Sequence, residues 1–284
     1  MQRGQVASHR EVETGTGLYR FRPLTGLGSC RLPRRKLMAT ATARLRPRKD
    51  NLFFSGMAAV ALIVVLSGFA RTYFLAGLFR APLPNLLVHI HAVAFTLWII
   101  FFITQVLLVT ARRVDLHRRL GLLGFVLALI MIVLGTTTAS DRLARHVVQP
   151  GTDTVEEVRA FYAVPLGDML VFSTFVYLGY RYRFQPAMHK RLMWFATLSL
   201  LDAGFDRWPV FDPYSLPVVN LICFTPLLLL LVGYDWWSTG KAQRVTIWST
   251  IFLIFMQQIR HPLGHTGAWQ SFAAWVAIHM PSFS

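Results

Sequence analysis

Cysteine and acidic residues are what this chain of 284 residues has least of. Cys30 lies in a polar arm and Cys223 in an apolar run, so neither a disulfide framework nor a cysteine-based metal site is available. Asp and Glu number 13 against 29 Lys and Arg, and charged residues are only 15% of the whole. A soluble domain of this length needs more charge to cover its surface. The positive excess is no nucleic-acid footprint either. Twelve of the 29 basic residues fall in residues 1–50, and the others form no patch interleaved with aromatics. A P-loop, a G-x-S-x-G elbow and a dinucleotide fingerprint are all missing, and no catalytic residue is assigned.

What is present is apolar length. Hydrophobic residues make up 54% of the chain. Runs long enough for a roughly 30 Å hydrocarbon core fall at about 52–74, 86–110, 120–139, 164–182, 190–208, 216–234 and 245–262. This predicts an all-α membrane protein, a bundle of seven transmembrane helices over residues 51–262. Basic residues gather in alternate connections: Arg112, Arg113, Arg118 and Arg119, then Arg181, Arg183, Lys190 and Arg191, then Lys241 and Arg244. The positive-inside rule then puts the N-terminus in the cytoplasm and the C-terminus outside. Residues 1–50 read as a disordered basic tail, with Met38 as an alternative start. Residues 263–284 read as an interfacial amphipathic helix N-capped by Thr266, with Trp269, Phe272, Trp275 and Val276 turned to lipid. In the third connection, "TDTVEEVRAFY" predicts a short surface helix.

Two phrases echo each other. "DLHRRLGLLGFVLALIMIVLG" opens the third run and "AMHKRLMWFATLSLLDAGFDR" the fifth, so that His117 and His189 align at an offset of 72. Each follows a run of the opposite direction, which reads as a two-helix hairpin used twice. These phrases, with "SGFARTYFLAGLF", "HIHAVAFTLW" and "TGAWQSFAAW", resemble a group of bacterial multi-pass membrane proteins of unassigned function. The resemblance covers about residues 50–276. It implies a bacterial inner-membrane protein and supplies no substrate.

The polar residues inside the runs divide into three sets. Asp202 stands about 15 Å into the fifth run if 1.5 Å per residue is counted from Leu192, and Ser199, Asp202 and Asp206 share one helical face. A carboxylate there must be protonated, paired or in contact with water. With His91, Asp168, Arg71 and Arg207 it defines an outward-facing polar pocket for a small or lipidic ligand. The competing reading is an ion-pair lattice, such as Asp202 with Arg71, that only fixes helix register. His91 falls on a stripe with Trp98 and Gln105, while His89 faces nearly the opposite way.

His117 and His189 form the second set. Two imidazoles from repeated hairpins are similar to the haem ligands of transmembrane b-type cytochromes, which makes haem b the candidate cofactor and electron transfer the alternative function. The flanking arginines fit equally well a grip on anionic lipid at the cytoplasmic face. The third set, His261 and His265 in "HPLGH", is similar to the H-x-x-x-H pair of a seven-helix hydrolase superfamily and points to a zinc-dependent hydrolase as second alternative. Pro262 and Gly264 inside the pair work against the helix that would align it, so no metal ligand is assigned.

Overall fold

The computed structural model describes residues 34–80, 84–148 and 154–280, and side chains only from residue 49 and outside 146–148. Most of the expected basic tail lies outside the described residues. The chain divides into two compact units, Met1–Thr42 and Ala43–Ser284; all that follows concerns the second. Among the described residues there is no strand, so the chain is all-α.

Helix α1 (Arg34–Phe69) is followed by a π-helical turn, Ala70–Phe74, and by the single turn α2 (Ala76–Phe79). The helix thus begins inside the stretch expected as a disordered tail. Next come α3 (Leu86–Thr110), α4 (Val114–Val148), α5 (Val155–Phe161), α6 (Ala163–Arg181) and α7 (Pro186–Leu198). The chain closes with α8 (Asp202–Phe205), a 3-10 turn at Pro209–Phe211, α9 (Leu216–Thr239), α10 (Arg244–Gly264) and α11 (Gly267–His279). Helix α3 packs on α4, α6 on α7, and α4 on α6, so the two echoing hairpins lie side by side.

Five helical stretches are long and apolar enough to cross a membrane: Lys49–Phe74, Leu86–Thr110, Val114–Arg145, Val155–Arg181 and Leu216–Thr239. Two of the seven expected runs are not among them, for visible reasons. The fifth is interrupted after Leu198 and resumes only as the short α8. The seventh, α10, carries Gln257, Gln258 and Arg260 in its second half. Only 22% of the most apolar window of Leu86–Thr110 is buried inside the protein, and Leu122, Leu129, Val133 and Leu229 are all more than half exposed. So large an apolar exterior needs a lipid or protein covering.

The interior is aromatic. Trp98, Phe172, Trp194, Phe195 and Leu201 are fully enclosed, and the indole of Trp98 stands edge-on to the Phe172 ring while donating to Thr197 Oγ1 at 3.3 Å. A second small cluster joins α4 and α11 through Ala139, Leu143, Tyr162, Ala273 and Val276. Helix α11 is N-capped by Thr266, whose hydroxyl accepts from Trp269 N. Its expected lipid-facing side is only partly so. Phe272 and Trp275 are exposed, but Val276 is buried and the Trp269 indole donates to the Arg159 carbonyl at 2.9 Å. The short helix expected in "TDTVEEVRAFY" is α5, and Thr154 and Glu157 form its capping box.

Helix α1 comes very close to α8. A methyl group on Gly68 would stand 2.2 Å from the Gly204 carbonyl oxygen, whereas one on Gly56 would meet nothing within 4 Å. Backbone cannot yield there as a flexible side chain would. Gly68→Ala is therefore expected to destabilise by about 1–3 kcal/mol, and Gly56→Ala to be neutral or stabilising. Parallel melting of both variants in detergent checks this; equal melting temperatures would contradict the close approach.

Candidate functional site

The end of the bundle where α3, α6 and α9 begin and α4 and α7 finish holds a cavity of about 210 Å³. His91, Thr138, Arg142, Asp168, Asp202 and Asp206 are in its wall, with Arg207 beside them. Five of the six residues assigned to a pocket from sequence thus line one cavity. Arg71 does not. It sits in the π-helical turn after α1, exposed, its guanidinium over the Phe79 ring. The helical register used to aim it assumed an unbroken α-helix, and five π-helical residues change that register.

The partner of Asp202 is Arg260 of α10. Its Nη2 donates to Asp202 Oδ2 at 2.7 Å while Nη1 is bonded to Asp168 Oδ1. All three side chains are buried. One guanidinium therefore ties α6, α8 and α10 together behind the cavity. Gly167 makes room for it, since a Cβ there would meet the Arg260 stem at 3.3 Å. Asp202 also accepts from the backbone N of Ala203 at 2.7 Å. It gets there by a break rather than by depth in a straight helix. The chain turns at Ser199–Leu201, so the face drawn through Ser199, Asp202 and Asp206 is not continuous; the Ser199 hydroxyl bonds back to the Ala196 carbonyl.

The remaining wall is polar and partly unsatisfied. Nδ1 of His91 and Oγ1 of Thr138 are buried and find no hydrogen-bond partner in the protein. A buried polar atom left unpaired costs about 1–3 kcal/mol, so both require a ligand or water. His91 stacks on Phe95. His89, on the other side of α3, lies 3.1 Å from the Tyr73 hydroxyl. Arg142 extends over the Phe161 ring at 4.4 Å, on the partition between this cavity and a neighbouring one of about 270 Å³ that includes Glu157 and Tyr162. Arg207 bonds to the Ala203 carbonyl and lies over Phe69.

The opposite end of the bundle carries its own charge cluster. Arg191 and Asp235 form a fully buried ion pair, and Asp235 also accepts from Thr246 Oγ1 at 2.5 Å. Beside it Lys190 meets Asp50 at 2.6 Å, and the Tyr234 hydroxyl donates to the same carboxylate. Sequence reasoning placed Arg191 in a topology signal and missed Asp235 and Arg260 as partners. The usable signal was that each is a charge inside an apolar run and so requires a counter-charge.

His117 and His189 also meet at this end, their ring centroids 6.1 Å apart. His261 and His265 lie at the other, 5.4 Å apart, with the Glu156 carboxylate 3.9 Å from His265. Helix α10 runs through Pro262 to Gly264, because a proline in the last turn removes little of the helical bonding. Among the described residues, no three His, Cys, Asp or Glu side chains come together to hold a metal ion.

No family model, curated protein or solved structure matches this chain. It is an all-α protein whose apolar helices fit a multi-pass membrane protein.

Proposed function

We propose that this protein is a seven-span inner-membrane protein of the bacterial group its sequence motifs resemble, binding or transporting a small or lipidic ligand in the cavity around Asp202. In this reading α7 with α8 forms the fifth span, as a broken helix, and α10 the seventh. The basic connections at 111–119, 181–191 and 240–244 lie at the end away from the cavity, which places the cavity on the outer side. Broken helices at a polar cavity are where membrane proteins tolerate irregular backbone. Anionic lipid headgroups would meet the basic end.

The observation that carries the reading is the unsatisfied wall. His91 Nδ1 and Thr138 Oγ1 have no partner, while three carboxylates and two guanidiniums line the same space. A purely structural ion-pair lattice would satisfy its own polar atoms and leave no such cavity. The test is Asp202→Asn, which retains an oxygen facing Arg260 and leaves Asp168 paired. Wild-type protein extracted in mild detergent is expected to carry a bound small molecule, measured by native mass spectrometry. The variant should lose it at an unchanged melting temperature. Loss of fold in Asp202→Asn, or equal ligand content in both, would make Asp202 a structural residue only.

A further inference from the structure

We propose that His117 and His189 hold a transition-metal centre between their imidazole rings, at the opposite end of the bundle from the cavity. The two residues come from equivalent places in the repeated hairpins, 72 positions apart, and their ring centroids lie 6.1 Å apart. Two imidazoles on opposite sides of one metal require roughly 2 Å from metal to nitrogen and about 1 Å from nitrogen to ring centre on each side, or about 6 Å in all. Rings in direct van der Waals contact would sit closer.

The hydrogen bonding of the pair is incomplete in the way a ligand site requires. Nδ1 of His189 lies 2.9 Å from the Gly179 carbonyl oxygen. A carbonyl can only accept, so in the neutral ring Nδ1 carries the proton and Nε2 keeps its lone pair. Metal-binding histidines show this same second bond, which fixes tautomer and ring orientation. His117 Nδ1 is buried and without a partner. The backbone carbonyl of Gln105 faces the His117 ring, and both atoms of the Gln105 carboxamide are themselves buried and unpaired. Three orphaned polar atoms at one level of the α3–α4 hairpin are a debt that packing alone does not settle.

The grip on lipid phosphate, which the neighbouring arginines suit, does not account for this geometry. Phosphate is held by exposed cations, and Arg118 and Arg119 are exposed, whereas the two imidazoles turn towards each other. From His117 to Thr138 along α4 is roughly 30 Å at 1.5 Å per residue, so this site and the cavity succeed or fail separately.

Imidazole ligation is shared by free ions such as zinc or copper and by the iron of a haem. The experiment is elemental analysis with an absorption spectrum on full-length protein, purified from cells supplied with trace metals and a haem precursor. About one metal per chain is expected in wild type and in His89→Ala, and at least about tenfold less in His117→Ala and His189→Ala. Iron with a Soret band identifies a porphyrin, and metal without one identifies a free ion. Should the alanine variants fail to fold, wild type alone decides. Protein that is purified without metal, and takes up neither Zn²⁺, Cu⁺ nor hemin on titration, would overturn the proposal. So would alanine variants that keep their metal.

Discussion

Replacing Arg260 with methionine is expected to destabilise the protein by about 3–5 kcal/mol, because it strands two buried carboxylates. Asp168 and Asp202 both rely on this guanidinium, and they come from helices far apart in sequence. Without it they repel each other, and each must take up a proton or recruit water. On a melting curve in detergent the loss should read as a drop on the order of 10 °C. The same argument predicts a rescue. Adding Asp168→Asn and Asp202→Asn to Arg260→Met removes the stranded charge, and much of the stability should return. If Arg260→Met alone melts with wild type, the cluster is not holding the helices together.

The second large effect is expected at the other end. Asp235→Ala leaves Arg191 buried with the Ala187 carbonyl as its remaining bond at 2.5 Å, and strips the acceptor from Thr246 and from the backbone N of Gln243. This too should cost about 3–5 kcal/mol. The neighbouring Lys190–Asp50 pair is about one third exposed, so breaking it with Lys190→Met should cost about 1 kcal/mol or less. Pulse proteolysis of the two variants compares them directly. The Arg191→Met, Asp235→Leu double variant should be more stable than Asp235→Ala, since an apolar pair of similar volume leaves no charge unpaired. Similar losses for Asp235→Ala and Lys190→Met would contradict the burial argument.

How much of this was legible in the sequence depended on the range of the signal. The cap at Thr154 and the one at Thr266 are local, written in the side chain and the three residues after it, and both helices start where the pattern puts them. The stripe of His91, Trp98 and Gln105 is a helical period. Trp98 is enclosed, Gln105 has buried polar atoms, and His91 lines the cavity. The break in the fifth run had no such signal. No proline or glycine marks Ser199–Leu201, and the turn there is set by tertiary packing and by the pull of Arg260 on Asp202. Arg260 itself stands 58 and 92 residues from its two partners, a separation that one sequence cannot pair. Arg71 was misplaced for a related reason, since nothing in "ARTYF" announces a π-helical turn.

The central claim is that the cavity opens to the outer side of a membrane, and labelling of single cysteines tests it most directly. Ala203 lines the cavity and is half-buried, while Ser238 closes α9 at the opposite end. Each is replaced by cysteine in a Cys30→Ser, Cys223→Ser background and exposed, in intact cells, to a small membrane-impermeant thiol reagent. The account predicts that Ala203→Cys is modified from outside and that Ser238→Cys reacts only after the membrane is opened. The reverse pattern would turn the protein over, and an Ala203→Cys that never reacts would leave no accessible cavity to assign a function to.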